Sequence, residues 1–430
     1  MENKKLNIGI FCDSFYPMVD GVVQVVDNYA RYLSEFCNVT VFVPKGRKDY
    51  KDNFPYKVVR SSIMRVFFLD YDLPLPKLDS KFKKELNRAN LDIVHIHSPF
   101  TMGKIGLDYA KKHKIPCIAT MHSQFKKDFK RSAKSPFLAP VVELLMTIIR
   151  GVFNSTTENW AVNGEVARIF YEDYKIKRQP IVMLNGTDML PFEDKEYLLS
   201  LREKYQIQDD EKVLLFVGRL NLLKNLSFLV KSLKELKGKG FKFKMLFVGT
   251  GQDEDIIKRE VKKLKLNDCV LFIGKISNRN ELAAHYALAD LFTFPSLYDC
   301  SSLVQIEAAS QKTPALFLQG AATADTVTAE VNGYLAENST EKYADKIIEI
   351  FIDKEKYLKV CQNAFDDLYL PWPKVVKNAF DRYQLVIEEN KKALEQAAAE
   401  KAEKKARRLE NRPAKSAGRK LKTKTTTAKK

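Results

Sequence analysis

Two carboxylates eight residues apart, Asp299 and Glu307, flank the point where a short apolar run gives way to a helix. The run 290–294 reads as a buried strand and Pro295 breaks it. A helix reopens around Ser302, where Ser302 and Gln305 have capping-box spacing. A strand that ends in a polar loop and enters a helix leaves backbone N–H groups pointing into the loop, where an anion binds. Two carboxylates beside such amides suit the hydroxyls and phosphates of one ligand. They equally fit an ordinary strand–loop–helix unit with solvated acids.

A second group lies upstream. Gly218-Arg219 ends another β-rich run and Lys224-Asn225 opens the next helix. This sets a planar guanidinium fork and a mobile ammonium at one strand end. The pair would neutralise a diphosphate leaving group without a metal, or it is a solvated basic loop. Gly21 follows the first strand and the loop 13–20, and a glycine there permits close approach of a ligand or simply a turn. His95 and His97 sit two apart on one strand and so share a face; His97 is nearer its end, and His122 ends the next strand. Gly249-Thr250-Gly251 lacks the third glycine of a dinucleotide fingerprint. The triplets Asp70-Tyr71-Asp72 and Asp253-Glu254-Asp255 read as solvated acids, the second in the first turn of a helix.

The elements that must position these residues alternate along the chain. Apolar runs at 7–12, 39–43, 57–59, 92–96, 117–121, 160–162 and 181–184 are separated by helical patterns at 81–89, 102–113 and 136–153. After a turn-rich link at Asn185-Gly186-Thr187-Asp188 the alternation restarts. Strands are expected at 213–217, 244–248, 270–273, 291–294 and 315–318, and helices at 226–237, 254–264 and 281–289. Asn278 and Glu281 are expected to cap the last helix reciprocally. Strands apolar on both faces, alternating with helices, predict an α/β protein of two facing Rossmann-like domains, with ligands beyond the carboxyl ends of the strands. The expected domains are 1–186 and 187–373, followed by a helix at 374–390 and a basic, mostly disordered tail at 391–430.

The 430 residues suffice for two full cores. The net charge is +18, but residues 391–430 hold fifteen Lys/Arg against four Glu, a surplus of eleven that leaves the body at +7. Six scattered cysteines without a C-x-x-C pair are expected to be reduced core residues of a cytosolic protein. Met1–Lys5 is short and polar, so no signal peptide is expected, and 136–153 carries Glu143 and Arg150, so it reads as an amphipathic or core helix and not a membrane span.

Taken together, these residues resemble glycosyltransferase family 4, retaining enzymes of the GT-B fold. D-S-F-Y-P-M-V-D-G-V-V resembles the family's first strand and glycine loop, and H-I-H-S-P-F and T-M-H-S-Q-F its next two cleft-edge strands. V-G-R-L with Lys224-Asn225 resembles its diphosphate segment, Asp299 and Glu307 its E-x7-E pattern, and Asn185-Gly186 with Asp188 its domain link. The resemblance implies Arg219 and Lys224 on the donor diphosphate and Gly21 against the donor phosphate. It implies backbone amides of Ser301, Ser302 and Leu303 on phosphate and sugar, and Glu307 on the ribose hydroxyls. Asp299 would touch the transferred sugar, His122 would lie near the reacting carbon and His97 on the acceptor side. The helix 374–390 is expected to cross back to the N-terminal domain. Departures are Asp299 for the usual first Glu, Cys300-Ser301-Ser302 for G-F-G, Lys312 for a glycine, and Ala161-Val162-Asn163 for P-S.

The N-terminal half is most similar to bacterial diacylglycerol glucosyltransferases. Lys126, Lys127, Lys130, Arg131 and Lys134 precede the apolar helix, a pattern suited to anionic lipid heads. The reading is a hexosyltransferase using a nucleotide sugar, expected to be UDP-glucose, with no metal cofactor. The acceptor is expected to be a diacylglycerol-type lipid, and the location the cytoplasm, peripheral on the inner face of the cell membrane. The alternatives are an inactive GT-B adaptor acting through its basic tail, and a sugar-nucleotide epimerase. No aromatic residue interleaves the tail after Tyr383, so no specific nucleic-acid partner is expected.

Overall fold

The computed structural model describes residues 5–18, 20–46, 50–64, 73–127, 129, 139–301 and 303–410. In chain order the first half carries β1 (Asn7–Phe11), β2 (Asn38–Pro44), β3 (Lys57–Ser61), β4 (Ile63–Met64), β5 (Leu73–Pro74), β6 (Ile93–Ile96), β7 (Cys117–Met121), β8 (Glu158–Ala161) and β9 (Ile181–Val182). The second half carries β10 (Lys212–Val217), β11 (Phe243–Val248), β12 (Val270–Gly274), β13 (Leu291–Phe294), β14 (Ala315–Leu318) and β15 (Tyr334–Ala336). A parallel seven-stranded sheet has the order β3-β2-β1-β6-β7-β8-β9, and a parallel six-stranded sheet the order β12-β11-β10-β13-β14-β15. β4 and β5 form a small antiparallel ribbon.

Helices cover both sheets, so their central strands are buried on both faces: β6, β7, β13 and β14 are buried throughout. Each sheet reverses its strand order once, the first between β1 and β6 and the second between β10 and β13. Beyond the carboxyl ends of strands at such a reversal two loops diverge and leave a crevice. The loops after β1 and β6 and those after β10 and β13 carry Gly21, His97, Arg219, Lys224 and Asp299, while His122 follows β7.

The helix Trp372–Glu410 crosses back onto the first sheet. Trp372, Val375, Val376, Ala379, Tyr383 and Val386 recur at helical spacing and are buried against Ile8, Ile10, Val23 and Trp160. His95 Nδ1 meets the Tyr383 hydroxyl at 2.6 Å, and Tyr383 stacks on Trp160 at 5.4 Å. Arg382 forks onto Glu158 of β8.

Several expectations are corrected. The helix expected at 374–390 runs unbroken to Glu410, so the first half of the tail, expected to fray before a disordered remainder, continues it; an Ala-rich stretch with i,i+4 pairs such as Glu403–Arg407 favours helix even when exposed. Residues 411–430 lie outside the described part, as do Asp70-Tyr71-Asp72, Lys130, Arg131 and Lys134. The Asn278 cap runs one way, its side chain accepting from the amides of Asn280 and Glu281. Asp253 is bonded to the Leu222 amide at 2.9 Å, so it holds a loop and is not merely solvated. All six cysteines are buried.

Candidate active site

The site is built at the two strand-order reversals. After β1, Asp20 caps the helix Gly21–Leu33 by accepting from the Val23 amide at 2.8 Å. This leaves Gly21 at the helix start, exposed, with nothing within 4 Å of where a Cβ would stand. Across the reversal, Asp13 receives Ser98 Oγ at 2.6 Å and the Met102 amide at 2.8 Å, which locks the loops after β1 and β6 together. Burial pushes the Asp13 carboxyl up.

His97 lies just past β6 and His122 just past β7, and the two rings stack with His97 Nδ1 to His122 Nε2 at 2.9 Å. His95 is structural, its nitrogens taken by Tyr383 and Thr120, both at 2.6 Å. Burial holds His95 and His122 neutral, with pKa values lowered to about 3. His97 is pushed well below its ordinary value by burial and by the other two rings. His97 Nε2 is covered and has no partner among the described residues.

On the second sheet, Arg219 is exposed beyond the end of β10. Gly249 and Gly251 let this loop pack on its neighbour, since a Cβ would stand 1.9 Å from the Gly218 oxygen and 2.2 Å from the Leu220 oxygen respectively. Lys224 is not free: its ammonium pairs with Asp299, whose other oxygen accepts from Ser296 Oγ at 2.6 Å. Ser301 Oγ receives the Asn185 amide at 3.3 Å, and Leu303 opens the helix Leu303–Ser310. Ser302 lies outside the described residues. Glu307 is buried on that helix, with Arg279 Nη1 on one oxygen at 2.8 Å and the Tyr286 hydroxyl on the other at 2.9 Å. Burial pushes its carboxyl up and Arg279 opposes that.

A cavity of about 230 Å³ between the lobes brings together Gly21, His122, Asp299, Ser301 and Leu303. Lys224 reaches it through Asp299. Arg219 and Glu307 are not among its walls, so the structure assembles part of the expected set around one space and leaves these two outside its lining. The lobes interlock here: Asn163 Nδ2 donates to the carbonyls of Cys300 at 2.7 Å and Ala322 at 2.8 Å, and Gln124 reaches the Tyr298 carbonyl at 3.3 Å.

A second cavity, about 750 Å³ and mostly apolar, lies in the first lobe among Phe100, Phe125, Phe129, Ile148 and Val152, with His97 in its wall. The two cavities share Asp20, Val22, His122 and Ser123. The spacing of the aromatics gave no sign of this space, which forms only when the loop after β6 meets the helix Ala139–Phe153. Val141, Leu144, Leu145 and Ile148 on that helix are exposed. Among the described residues no helix is long and apolar enough to cross a membrane, and no group of three or more His, Cys, Asp or Glu is arranged to hold a metal.

A family model described as Glycosyltransferase Family 4 matches residues 19–189, and one described as Glycosyl transferases group 1 matches residues 199–367. The chain belongs to glycosyltransferase family 4. The first matched segment takes in every strand of the first sheet but β1 and the second takes in the whole second sheet, and as a family member the protein is a hexosyltransferase. An alpha-monoglucosyldiacylglycerol synthase of Streptococcus pneumoniae is 26% identical over 315 residues, covering 72% of this chain and 70% of that one. An enzyme of the same description from Acholeplasma laidlawii is 25% identical over 320 residues, covering 72% and 79%. Among solved structures, Anabaena HepE in complex with UDP superposes with a TM-score of 0.70 at 15% identity, covering 88% of this chain and all (100%) of that one. Sucrose-phosphate synthase from Thermosynechococcus elongatus gives 0.72 at 18%, covering 90% and 100%. These likenesses establish the GT-B fold.

Proposed function

We propose that the protein transfers glucose from UDP-glucose to the hydroxyl of a diacylglycerol-type lipid, with retention, at an anionic membrane surface. The observation that carries this reading is the meeting of a polar interlobe cavity and an apolar cavity at His122 and Asp20. A sugar nucleotide suits the first and a lipid the second, which brings an acceptor hydroxyl to the sugar at their junction. The two glucosyldiacylglycerol synthases among the relatives, and the UDP complex of HepE, support the same pairing.

In this arrangement the developing charge on the departing diphosphate is met by Lys224, Arg219 and the free amides that open the helix Leu303–Ser310. No metal is invoked. Asp299 accepts from hydroxyls of the hexose and Glu307 from those of the ribose, through lone pairs that Arg279 and Tyr286 leave open. The acceptor oxygen attacks the anomeric carbon on the face that the phosphate leaves, and its proton passes to the departing phosphate oxygen. The unpartnered His97 Nε2 offers the acceptor's polar head a hydrogen bond inside an otherwise apolar wall. The exposed apolar side chains of helix Ala139–Phe153, on which Lys126 pairs with Glu143 at 3.3 Å, suit a lipid surface.

The test is a transfer assay with labelled UDP-glucose and diacylglycerol in vesicles with and without anionic lipid, with products identified by mass. Glucosyl-diacylglycerol formed faster on anionic vesicles is expected. Release of free glucose alone, or a rate indifferent to anionic lipid and salt, contradicts the lipid acceptor or the membrane surface respectively.

A further inference from the structure

Arg279 stands at the start of the helix Arg279–Leu288, where no motif points. Its guanidinium reaches two ways. Nη1 donates to Glu307 at 2.8 Å, while Nη2 holds Asp188 and lies 3.4 Å from Thr187 Oγ1. Thr187 belongs to the segment in which the chain passes from the first lobe to the second. Its amide donates to the Leu370 carbonyl at 2.9 Å and its carbonyl accepts from Trp372 at 3.2 Å, in the segment by which the chain passes back. The two crossings are therefore stapled together, and Arg279 joins that staple to Glu307.

The guanidinium is held by its terminal nitrogens, since its covered Nε–H has no acceptor among the described residues. A planar fork with two separate acceptors fixes both at once, which a lysine ammonium on a flexible stem does not. An ionised carboxylate has about four lone-pair sites, so with Arg279 and Tyr286 each on one oxygen Glu307 still has room for a diol. A ligand that engages Glu307 therefore acts on the same guanidinium that grips the link.

We propose that Arg279 is a positioning residue that fixes the Glu307 carboxylate for the ribose and couples its occupancy to the link between the lobes. This rests on the reading of Glu307 as the ribose partner. The full-length chain and its Arg279→Lys, Arg279→Met, Asp188→Asn and Glu307→Gln variants are compared by calorimetric titration with UDP and by steady-state transfer from UDP-glucose, with thermal unfolding as the check on folding. Both Arg279 variants should weaken UDP by about tenfold or more, the scale of a lost charge-assisted bond. Asp188→Asn, which leaves Arg279 on Glu307, should keep the UDP affinity within about twofold and lower kcat by about tenfold with KM little changed. Arg279→Lys preserves the charge, so its UDP affinity decides the question even if Arg279→Met fails to fold. Normal UDP binding by Arg279→Lys overturns the positioning role, and a wild-type kcat in Asp188→Asn overturns the coupling. Wild-type UDP affinity in Glu307→Gln would instead remove the ribose reading beneath both, a result distinguishable from either.

Discussion

Asp299 stops one methylene short of a glutamate, and what lies within that shorter reach is Lys224 and Ser296. A cation assigned to the diphosphate is thus already neutralised by the carboxylate assigned to the hexose. On this account the donor must exchange the partners, phosphate taking Lys224 and sugar hydroxyls taking Asp299. Asp299→Asn frees Lys224, so UDP alone should bind about threefold to tenfold tighter, the scale of a partly exposed ion pair, while transfer falls. Unchanged or weaker UDP binding, read by calorimetry, would exclude the exchange. The histidines make a second prediction. His95, His97 and His122 are held neutral by burial, two of them with pKa values near 3, against an ordinary 6.5. Unfolding lets them take up protons, so the folded state is favoured above 6.5 and loses that advantage as pH falls toward 3. The loss between pH 7 and 5 is on the order of 2 kcal/mol for His95 or His122 taken singly. The buried carboxyls of Asp13 and Glu307 are shifted up and act with the opposite sign, so the comparison is by difference. The fall in unfolding midpoint from pH 7 to 5 should be shallower in His122→Asn than in the wild type; equal slopes would contradict a neutral His122. The placement of Asp299 and His122 just past strand ends was legible from the alternation. The contacts of Arg279 with Asp188 and of Asn163 with Cys300 were not, because these partners stand 91 and 137 residues away and the neighbours of Arg279 and Asn163 form no pattern.

Strands buried on both faces announce themselves as apolar runs, which is why nearly every sheet strand was found with its order along the chain. β15, three residues long, and the ribbon of β4 and β5, two residues each, are too short to show a period. The long C-terminal helix was legible from its apolar spacing up to Val386, since beyond that point only propensity and charge pairing speak. Its attachment depends on a buried polar contact that spacing does not reveal: the Tyr383 hydroxyl on His95, inside a stack with Trp160. Tyr383→Phe keeps the ring and leaves His95 Nδ1 without a partner, so urea unfolding should show a loss of about 1–3 kcal/mol. No loss would mean that the helix is held by its apolar face alone.

The whole molecule places two strand-order reversals face to face, and the side chains that cross between the lobes, Asn163 to Cys300 and Gln124 to Tyr298, draw the loops into one cleft. The fold and the cleft could be read in advance because alternation fixes a parallel sheet and a parallel sheet fixes where its loops lie. The apolar cavity could not, since it needs the relative placement of β5, the loop after β6 and the helix Ala139–Phe153. On the proposed function, that cavity is what would suit a sugar-nucleotide cleft to a lipid acceptor. The central claim is that one diphosphate is gripped from both lobes, and a crystal structure of the protein with UDP tests it most directly. The account predicts the diphosphate between Gly21, Lys224 and the start of the helix Leu303–Ser310, with Asp299 released from Lys224. A diphosphate bound elsewhere, with the Lys224–Asp299 pair intact, would contradict it.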